Sequence, residues 1–172
     1  MRSFIFTLLT ALILHLPALA KEPILTATGT VAKVSDGDTV HVVTSGAKLR
    51  VRLYGIDAPE TAKRGKPGQP YGEEAARALR AKVAGRQVRV DVMDTDRYRR
   101  SVAILWLDGW DVNREMVAEG YAWAYRQYLD RPHASEYLSA EESARRARLG
   151  LWQQNNPQPP WEFRRAQRTR GK

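Results

Sequence analysis

The chain contains no cysteine among its 172 residues, which limits both its cross-links and its chemistry. Without cysteine there is no disulfide, no thiolate nucleophile and no cysteine-ligated metal centre. Histidine is scarce as well, with only His15, His41 and His133. Their spacing matches neither a zinc site nor a histidine base placed beside a nucleophile. Any chemistry must therefore come from carboxylates and arginines, with a hard cation if a metal takes part.

Long apolar runs are absent after the first 20 residues, so no later segment is long enough to span a bilayer. The N-terminus has Arg2, an apolar run from Phe4 to Leu16, and then Ala18-Leu19-Ala20. This order is typical of a cleaved export signal, and the run is shorter than the roughly 20 residues of a spanning helix. An uncleaved membrane anchor is the alternative. We expect cleavage after residue 20 and a periplasmic or secreted bacterial protein.

Acidic residues are outnumbered by basic ones, 19 against 28, which gives a net charge of +9. Loss of residues 1–20 removes only the charge of Arg2, and the net charge becomes +8. A basic protein favours a polyanionic partner: nucleic acid, anionic lipid or acidic polysaccharide. Charge alone does not choose among these partners.

Five segments have the alternation or the apolar content of β-strands. They cover residues 29–34, 39–43, 48–56, 88–92 and 102–107. Three segments have helical patterns. The first lies around residues 75–83, the second follows the capping residue Asp111, and the third runs from about Ser135 to Leu149. This order fits a mainly β (α+β) protein, a five-stranded OB-fold-like barrel with about three packed helices. An open α+β sheet is the alternative that periodicity cannot separate from it.

The predicted organisation is a single folded domain with short flanking segments. Its boundaries are a signal peptide at 1–20, a short leader at 21–27, the domain at 28–152 and a tail at 153–172. The tail is rich in proline and arginine without periodicity, so we expect it to be disordered. Its arginines, Arg164 among them, are interpreted as a solvated, non-specific electrostatic aid to binding.

Acidic residues lie at the ends of two neighbouring strands. The sequence Asp36-Gly37-Asp38-Thr39 forms the turn after the first strand, and Asp57-Ala58-Pro59-Glu60 follows the third. If these strands pair, the carboxylates meet at one rim, where they repel unless a cation or raised pKa values relieve them. Two aspartates, a carbonyl and water suit calcium, and magnesium accepts the same ligands. Each segment alone is also typical of an ordinary turn.

Four segments together resemble the thermonuclease (staphylococcal nuclease-like) family in order and approximate spacing. They are Asp36-Gly37-Asp38-Thr39, Arg52-Leu53-Tyr54-Gly55-Ile56-Asp57-Ala58-Pro59-Glu60, Tyr71-Gly72-Glu73-Glu74-Ala75 and Asp96-Arg97-Tyr98-Arg99-Arg100. The resemblance covers about residues 28–152, and the second segment is its most specific part. It implies a monomeric, calcium-dependent (Ca²⁺) nuclease that cuts both DNA and RNA and leaves 3′-phosphate ends.

The resemblance also implies a metal site. Asp38 and Asp57 would be the carboxylate ligands of calcium, with the backbone carbonyl of Ala58 beside them. The family often has threonine at the position of Ala58, but a carbonyl ligand does not depend on the side chain. Asp36 would lie next to these ligands without binding the metal directly, or would bind it through a water molecule.

Three catalytic residues are implied in the same way. Glu60 would orient or deprotonate the attacking water, while Arg52 and Arg100 would bind the scissile phosphate from two sides. Arginine suits this task because its guanidinium stays protonated and binds two oxygens at once. The family commonly has glycine before the second arginine, where this chain has Arg99. If that turn needs positive φ, Arg99 is costly there and Arg100 is displaced, which makes Arg99 the fallback.

Aromatic residues are the candidates for contacts beyond the scissile bond. Tyr98, Tyr125 and Tyr128 would stack on bases or contact a terminal phosphate. Ordinary packing is the alternative for all three. No element resembles a base-reading motif, so we expect weak sequence preference.

Two other functions compete with the nuclease. A non-catalytic OB-fold module would bind single-stranded nucleic acid without cutting it. Degenerate proteins of that kind lose the acidic residues, whereas here the acidic and arginine sets are both complete. A calcium-binding structural protein would use the carboxylates to join two strands, but this leaves Arg52 and Arg100 unexplained. The nuclease is therefore the predicted function.

Overall fold

A computed structural model describes residues 21–130 and 133–170. The predicted signal peptide at 1–20 lies outside the described residues. In the described ranges, no helix combines the length and the apolar character needed to cross a membrane.

Five long strands carry the fold, and three short ones lie beside them. The strands are β1 (Leu25–Asp36), β2 (Thr39–Thr44), β3 (Lys48–Leu53), β4 (Ile56–Asp57), β5 (Gln87–Thr95), β6 (Ser101–Leu107), β7 (Trp110–Asp111) and β8 (Trp123–Ala124). The helices are α1 (Gly72–Val83), α2 (Val112–Ala118), α3 (His133–Arg146) and α4 (Pro160–Arg170), with 3-10 turns at Arg126–Tyr128 and Gly150–Gln153.

The five long strands close into a barrel. Four antiparallel pairings give the order β3-β2-β1-β5-β6, and a parallel pairing of β3 with β6 joins the two ends. Alternate residues point inward and are fully buried, which the period of two along a strand requires. The barrel interior is made chiefly of valines: Val31, Val40, Val42, Val51, Val88 and Val90. The predicted OB-fold-like barrel is thus confirmed, and the open-sheet alternative does not apply.

Asn113 at the start of α2 fastens the parallel seam of the barrel. Its side-chain oxygen accepts a hydrogen bond from the backbone N–H of Leu105 at 3.1 Å. Its amide nitrogen donates to the carbonyls of Tyr54 and Ala103, each at 3.0 Å. One fully buried side chain therefore satisfies three backbone groups where β3 ends beside β6.

The termini of the domain differ from the prediction. β1 begins at Leu25, and its residues Leu25–Ala27 pair with Val90–Val92 of β5, so the expected leader is partly a barrel strand. The expected disordered tail contains α4, which gives the described residues four helices rather than three. The physical reason is a contact between aromatic side chains. Trp161 packs on the cluster of Trp123 and Trp152, and this contact orders the segment.

The third helix is also placed differently. It begins at His133 instead of about Ser135, and it ends at Arg146 instead of Leu149. Arg148 has a φ of 52° and Gly150 a φ of 49°, backbone conformations that end an α-helix. By contrast, the predicted cap of α2 is present, because the Asp111 carboxylate accepts a hydrogen bond from the N–H of Arg114 at 3.0 Å.

The first prediction concerns Arg99, which has a φ of 61° in the turn between β5 and β6. A residue with a Cβ pays a steric cost in this region, whereas glycine does not. We expect Arg99→Gly to raise the free energy of unfolding by about 0.5–1 kcal/mol after the entropy of glycine is counted. Urea denaturation measures this change.

Arg97→Gly is the matched control, since Arg97 is exposed in the same turn and has no positive φ. It should lower the free energy of unfolding. Equal destabilisation by the two glycine variants would show that the conformation of Arg99 carries no strain.

The second prediction concerns the seam. Asn113→Ala removes three buried hydrogen bonds and leaves the Leu105 N–H and the Tyr54 carbonyl without this partner, while the Ala103 carbonyl keeps the N–H of Tyr54. The free energy of unfolding should fall by roughly 3 kcal/mol. Thermal or urea unfolding measures the change, with Asn156→Ala, at an exposed position, as the control. A loss below about 1 kcal/mol, within the usual range for one exposed contact, would contradict the role given to Asn113.

Candidate active site

Barrel pairing brings the two predicted acidic segments together at one rim. Thr39 is the register partner of Arg52, so Asp38 lies directly beside the end of β3. The N–H of Leu53 donates to the carbonyl of Asp38 at 2.8 Å, and the N–H of Ala58 donates to its carboxylate at 3.0 Å. Backbone hydrogen bonds therefore hold the Asp38 carboxylate against the segment that carries Asp57.

Asp57 is the most deeply placed carboxylate of the rim. Its side chain has 0% exposure, and β4 holds its backbone through the pairing with Trp123 in β8. Arg52 lies between the two aspartates: it forms an ion pair with Asp38, and its Nη2 is 2.7 Å from Oδ1 of Asp57. A buried carboxylate needs such a partner, because the desolvation cost of an isolated charge is large.

Helix α1 presses closely against this rim. A Cβ on Gly37 would lie 2.7 Å from the Cβ atoms of both Ala58 and Ala75. A Cβ on Gly72 would lie 2.2 Å from the carbonyl oxygen of Glu60. The two glycines thus allow backbone contact between α1 and both acidic segments, which explains why glycine belongs in these motifs.

Glu60 lies at the edge of the rim and is partly exposed. Its carbonyl accepts a hydrogen bond from the N–H of Gln69 at 2.8 Å, which fixes the backbone. Its carboxylate receives a hydrogen bond from Nη1 of Arg164 at 2.7 Å. Asp36 is on the same side: its Oδ2 is 3.4 Å from Nζ of Lys63, while its Oδ1 is buried without a hydrogen-bond partner.

The structure does not join Arg100 to these carboxylates. Among the described contacts, its charged partner is Asp96, whose carboxylate accepts from both Nε at 2.7 Å and the backbone N–H at 2.9 Å. Burial raises the pKa of Asp96, but the hydrogen bonds and the charge of Arg100 outweigh burial and lower that pKa overall. Arg100 directly precedes Ser101, the parallel partner of Val51, so it lies in the turn just before the strand that pairs with β3.

The three predicted tyrosines form two groups. Tyr125 and Tyr128 meet edge to face with ring centroids 4.8 Å apart. Burial raises the pKa of Tyr125, and the negative charge of Asp57 raises it further, which places this phenol near the acidic rim. Tyr98 is exposed in the turn between β5 and β6, where its ring lies against the guanidinium groups of Arg97 and Arg100.

The carboxylates of the rim could hold a hard cation only if backbone carbonyls or water molecules supplied further oxygen ligands. In residues 21–130 and 133–170, no three His, Cys, Asp or Glu side chains are gathered as a metal cluster. However, Asp38 and Asp57 supply carboxylate oxygens beside the backbone of Ala58, and Asp36 has an unpaired buried oxygen. Calcium accepts carboxylates, carbonyls and water in this mixture. The residues present therefore fit calcium.

Sequence reasoning missed Arg164, which reaches the rim from α4. Its Nη2 is 2.7 Å from Oδ2 of Asp57, and its Nη1 is 3.1 Å from Oδ1. Burial lowers the pKa of Arg164, but its bonds to Asp57 and Glu60 outweigh that effect and raise the pKa overall. The overlooked signal was the pair of aromatic residues Trp161 and Phe163, which an unstructured basic tail does not need.

Carboxylates and arginines on the rim of an OB-type barrel define a site able to bind a cation and a phosphate together. The family model described as staphylococcal nuclease homologue matches residues 50–154. An uncharacterized endonuclease of Haemophilus influenzae is 40% identical over 139 residues, which cover 80% of this chain and 73% of that protein. This chain belongs to the family of staphylococcal nuclease homologues, so the resemblance is confirmed.

Two further relatives agree with this membership. A micrococcal nuclease of Shigella flexneri is 37% identical over 150 residues, 82% of this chain and 82% of that protein. A probable staphylococcal-like nuclease of Oryza sativa subsp. japonica is 44% identical over 122 residues, 71% of this chain. The matched region spans only 34% of the rice protein, so that relative informs on this domain alone.

Proposed function

We propose that this protein is a calcium-dependent nuclease that hydrolyses phosphodiester bonds of DNA and RNA and leaves 3′-phosphate ends. One observation carries the proposal: the rim of the barrel brings Asp38, Asp57 and Arg52 into one connected cluster, to which Arg164 joins Glu60. Membership of a family whose relatives include a protein named micrococcal nuclease supports nuclease activity.

Different side chains would have different roles in hydrolysis. Asp38 and Asp57, with the carbonyl of Ala58, would hold the calcium ion. When bound, calcium supplies Lewis-acid polarisation of a phosphoryl oxygen. Glu60, at the accessible edge of the rim, would orient or deprotonate the attacking water.

Two arginines would stabilise the charge that develops on the phosphoryl oxygens. Arg52 is already at the rim, and its contacts with Asp38 and Asp57 set its position. Arg100 would approach the phosphate from the turn before β6, where Asp96 orients its guanidinium. A guanidinium is suited to both positions because it binds two oxygens and remains charged at neutral pH.

Nucleic acid is the substrate that the remaining surface suits. Tyr125 and Tyr128, beside the rim, and Tyr98, beside Arg100, offer aromatic faces for bases. The net charge of +9 favours a polyanion through contacts that do not depend on sequence. We infer weak sequence preference and a monomeric enzyme that acts in the periplasm or outside the cell. The N-terminal pattern of residues 1–20 supports this location.

Metal removal and a Glu60 variant test the proposal. Residues 21–172 are incubated with linear single-stranded DNA in calcium or in excess chelator, and Glu60→Gln is assayed in calcium. We expect cleavage to 3′-phosphate ends by the unmodified protein in calcium only. Glu60→Gln should be slower by about a hundredfold or more, because it removes a group that accepts a proton.

Glu136→Gln is the control for charge, since Glu136 is exposed on α3 away from the rim. It should cut DNA at the normal rate. If the DNA is bound but stays uncut in every arm, the protein is a nucleic-acid-binding module and the enzyme proposal fails.

A further pair of variants tests the arginines. Arg52→Lys and Arg100→Lys keep the charge but lose the two-oxygen contact, and each should lower turnover by roughly 10³, the lower end for such arginines. Single-turnover cleavage rates at saturating calcium measure the effect. Arg50→Lys, an exposed change on the same strand as Arg52, is the control. A loss below tenfold would remove that arginine from the phosphate contact.

A further inference from the structure

Helix α4 places a cation on the carboxylates of the rim. Both terminal nitrogens of Arg164 contact Asp57, at 2.7 and 3.1 Å, and Nη1 also contacts Glu60 at 2.7 Å. This arrangement uses both oxygens of Asp57, a proposed metal ligand, and one oxygen of Glu60, the proposed base. A guanidinium in this position satisfies the charge that a metal ion would otherwise satisfy.

The same helix covers the aromatic surface beside the rim. The rings of Trp161 and Tyr125 are parallel within 1°, with centroids 5.1 Å apart. Trp123 closes the cluster edge to face with Trp161 at 5.6 Å. A flat aromatic ring stacked on Tyr125 occupies the face that a nucleobase would use.

Helix α4 contacts the domain mainly through Trp161, Arg164 and Gln167. Two side-chain hydrogen bonds tie it to the loop before α1: Gln69 donates to the carbonyl of Gln158, and Gln167 donates to that of Pro67. Most of the other side of the helix is exposed, including Arg165 and Arg168. A short terminal element with few buried contacts opens at a lower free-energy cost than the barrel.

We propose that α4 is an internal competitor of both calcium and nucleic acid at the active site. Arg164 occupies the oxygens of Asp57 and Glu60, and Trp161 occupies the face of Tyr125. The proposal rests on the nuclease function inferred above. Calcium and the helix cannot both take the oxygens of Asp57, so the fraction of molecules with α4 released sets the apparent calcium affinity.

Calcium titration of the full chain without nucleic acid tests the competition directly. Isothermal calorimetry compares the unmodified protein with Arg164→Ala and with Arg165→Ala, which removes the same charge from an exposed neighbouring position. We expect about tenfold tighter calcium binding by Arg164→Ala, as relief from a helix docked in about nine of ten molecules predicts. Arg165→Ala should bind calcium like the unmodified protein.

A second variant separates release of the helix from loss of a charge. Trp161→Ala removes the stack on Tyr125 but keeps every charge, and it should also tighten calcium binding. In the unmodified protein, calcium should speed cleavage by trypsin after Arg165 and Arg168, because the released helix is accessible to the protease. Mass spectrometry of the fragments identifies the sites.

Three results would overturn the proposal. The first is equal calcium affinity in Arg164→Ala, Arg165→Ala and the unmodified protein. The second is tighter binding in Arg164→Ala alone, with neither Trp161→Ala nor tryptic cleavage responding. The third is a tenfold or greater loss of turnover in Arg164→Ala at saturating calcium, which would make Arg164 a phosphate-binding group.

These outcomes are distinct from those of the nuclease test. Differing calcium affinities in proteins that never cut DNA would remove the nuclease function and leave the competition in place. Normal cleavage with equal affinities would remove the competition and leave the nuclease.

Discussion

The Asp57 carboxylate has no exposed surface, and the arrangement of the active-site rim follows from that constraint. Two arginines neutralise it: Arg52 from the adjacent strand and Arg164 from the last described helix. Removing one partner of a buried ion pair is far more costly than removing an exposed one, because the remaining charge stays desolvated. The position of Asp57 thus requires cations around it, whether from side chains or from a bound metal.

The closed barrel makes this burial possible. The parallel pairing of β3 with β6 places the end of β3 next to α2, where Asn113 donates hydrogen bonds to the carbonyls of Tyr54 and Ala103. Gly37 and Gly72 then let α1 approach the two acidic segments at backbone distance. Scaffold and site are therefore coupled, since the elements that close the barrel also hold the carboxylates.

Helix α4 connects the site to a part of the chain that the domain does not need for its core. Arg164 and Trp161 place a cation and an aromatic ring at the positions proposed for a metal ion and a base. An element that competes with a metal ion for buried oxygens changes the metal concentration at which an enzyme works without changing its chemistry. In the turn before β6, Arg99 adopts a φ of 61°, and hydrogen bonds to the Asp96 carboxylate hold the next residue, Arg100.

The sequence by itself determined the barrel strands, the cap at Asp111 and the two acidic segments, because these depend on local alternation and turn chemistry. It also predicted that Asp38 and Asp57 would meet, since adjacent strands share a rim. It did not reveal the ion pairs of Arg52, the separate placement of Arg100 or the docking of α4. A periodic pattern is a property of neighbouring residues, whereas Arg164 reaches Asp57 across 107 positions of chain. Only the tertiary structure decides such contacts, because the energy of a buried charge depends on everything packed around it.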